Sequence, residues 1–172
     1  MIARFEEWQP QVDSSVFVAP SAVVIGRVHL QQDVSVWYQS VLRGDVGSIV
    51  VGPRTNIQDG SVVHVTTERF HTTLGSDVTV GHQVILHGCH IGNRVLVGMG
   101  SIIMDGVTIG DDCLIGAGSL MTPGAQVPSG MLVFGRPGKP IRALSNEERR
   151  SLIESSAHYV ELARRHAQSI KS

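Results

Sequence analysis

Three of the eight histidines, His64, His82 and His87, are the side chains whose type and spacing could carry chemistry. Neutral imidazole is the commonest protein ligand for a transition metal, and three of them with a fourth position left open make a catalytic zinc site. Charged and amide groups stand near them in two short runs, Arg43-Gly44-Asp45 and Asn56-Ile57-Gln58-Asp59. Whether any of these side chains can meet depends on the scaffold that carries them.

That scaffold announces itself as a repeat. Aliphatic residues recur every six positions at Ile91, Val97, Ile103, Ile109, Ile115, Met121, Val127 and Val133. Upstream the same period runs Val18, Val24, Leu30, Val36, Leu42, then Val51, Ile57, Val63, then Leu74, Val80, Leu86, which makes nineteen slots in all. The phase breaks after Leu42 and Val63 add residues that should bulge as loops. Two positions before most slots the residue is small or β-branched, as at Ser40, Thr55, Ser61, Ser101 and Ser119. An inward-facing neighbour in a short strand should have that character. The pattern predicts a parallel β-helix with three slots per coil, about six coils in a prism roughly 30 Å long.

Slots three apart lie on one face, one coil above another, so His64 after Val63 and His87 after Leu86 stack at about 4.8 Å. Arg43, after Leu42, falls in the same column, with Asp45 at the mouth of the first insertion. His82 follows Val80 on a different face, one coil above Asp59, and cannot easily reach the first column of its own chain. If prisms associate side by side about a threefold axis, a neighbour's second column supplies it, and three histidines converge. Two imidazoles from one subunit and one from the next would then hold a metal.

Composition narrows the field. The chain has 172 residues, 42% hydrophobic and 17% charged, in keeping with one domain. Fourteen Lys and Arg against fifteen Asp and Glu give a net charge of −1, so a nucleic-acid partner is not expected. Met1–Trp8 lacks the basic and apolar regions of a leader, and no run approaches a membrane span. Cys89 and Cys113 show no paired spacing and sit two residues before slots, which reads as core thiols in a reducing compartment. No membrane partner and a cytoplasmic location are therefore expected.

The combination Arg43-Gly44-Asp45, Asn56-Ile57-Gln58-Asp59, His64, Val80-Gly81-His82 and Leu86-His87-Gly88-Cys89 resembles the signature of the γ-class carbonic anhydrases over nearly the whole chain. The resemblance implies a left-handed coil and a homotrimer in which His64, His82 and His87 hold Zn2+ between two subunits. Co2+ or Fe2+ would suit the same ligands. It implies the reversible hydration of CO2 to bicarbonate, a carbonate dehydratase (lyase) reaction by attack of zinc hydroxide. The lowering of the bound water's pKa to about 7 is a magnitude known from carbonic anhydrase itself. Gln58 and Asp59 would orient the hydroxide, and Arg43 would pair with Asp45. Tyr159 resembles a tyrosine that lies near the metal in some relatives. No other cofactor is implied.

Two departures bear on turnover. The most active γ enzymes place glutamates on the proton's way out, whereas Val46 follows Arg-Gly-Asp here and the insertion at 65–73 offers only Glu68 and His71. Activity could then be weak or absent. The competing readings are a metal-dependent thioester hydrolase, a coenzyme A-dependent acyltransferase working with one histidine base, and a non-catalytic metal-bound trimer. His29, His71, His90, His158 and His166 lack column partners and are expected to be solvated. Trp37 and Tyr38 are expected to face the surface of the trimer.

The β-helix is expected over 1–134, a Gly- and Pro-rich linker over 135–144, and a helix over 145–170. Ser145-Asn146-Glu147-Glu148 reads as its capping box. Its less polar face, with Leu152, Ser156, Tyr159, Val160, Ala163 and Ala167, should lie along the prism.

Overall fold

The computed structural model describes residues 1–171. The chain winds as a left-handed parallel β-solenoid whose strands, mostly two or three residues long, stack into three faces. The first face runs from Ile2–Ala3 through Val62–His64 and Ile85–His87 to Leu120–Met121. The second ends at Gln126–Val127, and the third runs from Phe17–Val18 to Met131–Gly135. Val23–Leu30 and Val41–Val51 each turn the corner between the first two faces.

Among the described residues the prism has about seven coils, one more than the periodicity suggested. The extra coil is N-terminal: Ile2 pairs with Val24 and Val12 with Leu30. A tight turn closed by Phe5 and Trp8 separates these two rungs and hides the period.

The slots fill the interior. Leu42, Val63, Leu86 and Ile103 are fully buried in one stack, and Ile57, Val80, Val97 and Ile115 in another. The small residues before them bond to the next coil: Ser40 Oγ donates to the Gln58 carbonyl and Ser61 Oγ to that of Gly81, both at 2.8 Å. Burying a hydroxyl this way leaves no polar group unpaired. The two cysteines lie in the same interior, and burial pushes the Cys89 thiol up to about 12, which leaves it inert.

The segment expected as a linker is mostly strand. Gly138–Ala143 turns back antiparallel on Met131–Gly135, and Pro140 sits on a sheet edge where its missing N–H is harmless. The helix, α1 (Asn146–Lys171), starts on the expected capping box, with Ser145 Oγ accepting the Glu148 N–H and Glu148 accepting that of Ser145. It lies along the third face of its own prism, burying Leu152, Ser156 and Ala163. Ser156 Oγ donates to Asp77 at 3.3 Å, and Arg164 pairs with Asp33 at 3.2 Å.

Two expectations are corrected here. Trp37 is not on the surface: it is 4% exposed beneath α1, edge-on to Tyr159 and packed against Phe17. His166 is not simply solvated, since its ring lies against Trp37 and its Nδ1 is 3.0 Å from the Tyr38 hydroxyl. Both follow from the helix covering a face that would otherwise be exposed. Among the described residues no helix is long and apolar enough to cross a membrane.

Candidate metal centre

Register brings the first two histidines together. Val63 pairs with Leu86 and His64 with His87 across adjacent rungs of the first face, and the rings face each other with His64 Nδ1 3.1 Å from His87 Nε2. Each ring is held from behind. His64 Nε2 donates to Asp45 Oδ1 at 3.0 Å, and His87 Nδ1 donates to Asp105 Oδ1 at 2.7 Å. An ionised carboxylate only accepts, so both distal nitrogens donate, and when the two rings are neutral their facing nitrogens carry lone pairs. Two facing nitrogens this close need a cation between them, either a shared proton or a metal ion.

The separation suits such a cation. Two nitrogens on a tetrahedral zinc with bonds of about 2.0–2.1 Å lie about 3.3 Å apart. A carboxylate behind each ligating imidazole is the usual second support of a metal-bound histidine.

Arg43 completes this cluster by pairing with Asp45. Burial raises the Asp45 carboxyl, but the hydrogen bonds from His64 and Arg43, with the arginine's charge, outweigh it and bring the group down to about 2. Asp45 is thus a fixed anion at neutral pH.

The remaining residues lie at the corner where the third face, through Asn56–Ile57 and Thr79–Val80, passes into the first. His82 Nδ1 is 3.1 Å from Asp59 Oδ2, with both side chains nearly half exposed. Gln58 is buried beside them; its amide donates to Asn56 Oδ1 at 3.1 Å, and Asn56 donates to Thr79 Oγ1 at 3.0 Å. Tyr159 of α1 reaches this group. Burial first, and then the Asp59 charge, raise its phenol, while hydrogen bonding to Gln58 acts the other way.

The expected residues therefore fall into two groups, Arg43, Asp45, His64 and His87 at one edge and Gln58, Asp59, His82 and Tyr159 at the other. A corner at His82–Gln83, where Gln83 has a positive φ, and the strand Ile85–His87 separate His82 from His87. Among the described residues of one chain no cluster of three metal-binding side chains forms.

Asp105 was missed. It lies two residues past the slot Ile103, one coil above Leu86, so the same arithmetic places it beside His87. Aspartates also stand at purely structural corners, as Asp33 and Asp77 do, and the sequence alone does not separate the two uses.

The model of the bacterial transferase hexapeptide (six repeats) matches residues 88–123, and with the stacked coils described above the chain is a hexapeptide-repeat β-helix. A solved structure from Anaplasma phagocytophilum, described as a hexapeptide transferase family protein, superposes with a TM-score of 0.91 at 44% identity, covering 95% of this chain and 96% of that one. Protein YrdA of Escherichia coli is 51% identical over 166 residues, 93% of this chain and 90% of its own. The carbonic anhydrase of Geobacillus kaustophilus is 40% identical over 161 residues, 94% of this chain and 88% of its own. Within the hexapeptide-repeat class, the chain belongs to the γ-class carbonic anhydrase family.

Proposed function

We propose that the protein is a γ-class carbonic anhydrase that hydrates CO2 reversibly to bicarbonate, with a zinc site shared between subunits of a homotrimer. The observation that carries the reading is the His64–His87 pair, whose facing ring nitrogens are 3.1 Å apart while both distal nitrogens are bonded to carboxylates. His82 of a neighbouring subunit is the third ligand. Val62, Ile85 and Met104, exposed in the single chain on the face that carries His64 and His87, give that neighbour an apolar surface to cover.

Zinc, when bound, supplies the Lewis acidity that makes water a nucleophile at neutral pH. The chain does the rest. Asp45 and Asp105 keep the lone pairs of His64 and His87 directed at the ion. Arg43 holds Asp45 ionised, and Gln58, anchored by Asn56, orients the attacking water with Asp59. Tyr159 closes the third-face side of the site. Imidazole ligands suit Co2+ and Fe2+ as well as Zn2+.

A second reading has one observation in its favour. A groove of about 370 Å³ between α1 and the third face is lined by Gln58, Gly98, Gly116 and Tyr159, far more space than a triatomic substrate needs. It would suit the acyl chain of a thioester, with the same metal used for hydrolysis.

Stopped-flow CO2 hydration on protein of measured zinc content tests the first reading. Hydration should rise in proportion to zinc and vanish in His82→Ala, which stays folded because no core slot is touched. Full zinc occupancy without hydration would contradict it, and thiol release from an acyl-coenzyme A by the same sample would support the second.

A further inference from the structure

Asp105 has no part in the expectations drawn from the family and the insertion at 65–73 enters them only as a route for protons, yet the two are built around His87. His87 Nδ1 donates to Asp105 Oδ1 at 2.7 Å, and the other carboxylate oxygen accepts the Thr66 hydroxyl at 2.9 Å. Both oxygens are thus committed, one to the imidazole and one to the insertion. The insertion is itself closed: Thr66 and Phe70 exchange backbone hydrogen bonds of 3.0 and 3.3 Å, and Thr72 Oγ1 donates to the His64 carbonyl at 2.6 Å.

Space for the carboxylate comes from Gly88, next to His87. Its φ is +55°, in the left-handed region, and a Cβ there would overlap Asp105 Oδ1 and the Phe70 side chain. A glycine is needed both for the backbone and for the approach of the carboxylate. An Asp–His pair this exposed contributes little to folding, so stability does not account for the arrangement.

We propose that Asp105, clamped by Thr66 of the insertion, is a positioning residue for His87: it fixes the proton on Nδ1 and aims the Nε2 lone pair at the metal. Which nitrogen of a histidine ligates is set by the partner of the other nitrogen, and such partners are worth 10–100-fold in metal affinity. The insertion then has a defined purpose as the support of a ligand. This inference rests on the reading that His87 holds zinc.

Zinc affinity by chelator competition on the full chain, wild type against Asp105→Ala, Asp105→Asn and Thr66→Ala, tests it together with 15N NMR of the His87 ring in metal-free protein. Asp105→Ala should weaken zinc binding about 10–100-fold and shift the His87 proton away from Nδ1. Asp105→Asn retains an acceptor oxygen without the charge and should lose less, and Thr66→Ala should also lie between wild type and Asp105→Ala. The Asn and Thr66 variants keep the test alive if the Ala variant misfolds. Wild-type affinity and an unchanged His87 tautomer across the variants would overturn the inference and leave the zinc reading standing. A wild-type chain that binds no zinc would overturn both.

Discussion

His64 and His87 face each other at 3.1 Å because Val63 and Leu86, the core residues just before them, are in register on adjacent coils. The period of a strand is two, so a slip of one residue would turn either imidazole to the wrong side of the sheet. The histidine pair is therefore only as well placed as the aliphatic stack beneath it.

Neighbouring residues on this rung should respond in opposite ways. Leu86 is fully buried, and Leu86→Ala should cost about 2–5 kcal/mol in denaturant unfolding. Ile85 points outward and is 40% exposed in the single chain, so Ile85→Ala should cost within about 0.5 kcal/mol of nothing. Its effect should appear in sedimentation, as weaker association of subunits.

Trp37 is the link between prism and helix. It is buried against Phe17, Tyr159 and His166, and Trp37→Ala should cost about 3–5 kcal/mol. Hydrogen exchange should show the loss concentrated in α1, with the amides of the prism still protected.

The capping carboxylate gives a pH dependence with a definite sign. Hydrogen bonds from Arg142 first, and then from the Ser145 backbone, bring Glu148 from 4.5 down to about 2. A depressed carboxyl stabilises the fold above its unfolded value and loses that contribution as pH falls through the folded one. The stability gap between wild type and Glu148→Gln should be full at pH 6 and should shrink between about 4.5 and about 2. Thermal melts of α1 across that range would measure it, and a gap independent of pH would contradict the assignment.

The six-residue period was legible because every coil needs the same inward residue, and it placed Arg43, His64 and His87 in one column and Asp59 under His82 without any contact being known. What it missed has physical causes. The first coil is hidden because the Phe5–Trp8 turn breaks the spacing between Ile2 and Val12. Asp105 sits at a corner position, where an aspartate can equally serve the backbone turn. The burial of Trp37 and the contacts of His166 depend on where α1 docks, and no local pattern encodes the register of a helix against a face 128 residues away in sequence, as the Tyr38–His166 contact shows.

The central claim is that one zinc site draws on two chains, and subunit mixing tests it most directly. Neither His82→Ala nor the double variant His64→Ala/His87→Ala should bind zinc in a homotrimer. Unfolded together, mixed and refolded, they should regain roughly one quarter of the wild-type zinc, since random trimers of threefold symmetry restore one complete site in about three of every four assemblies. No zinc in the refolded mixture, with trimers formed, would contradict a shared site; zinc retained by His82→Ala alone would show that a single chain holds the metal.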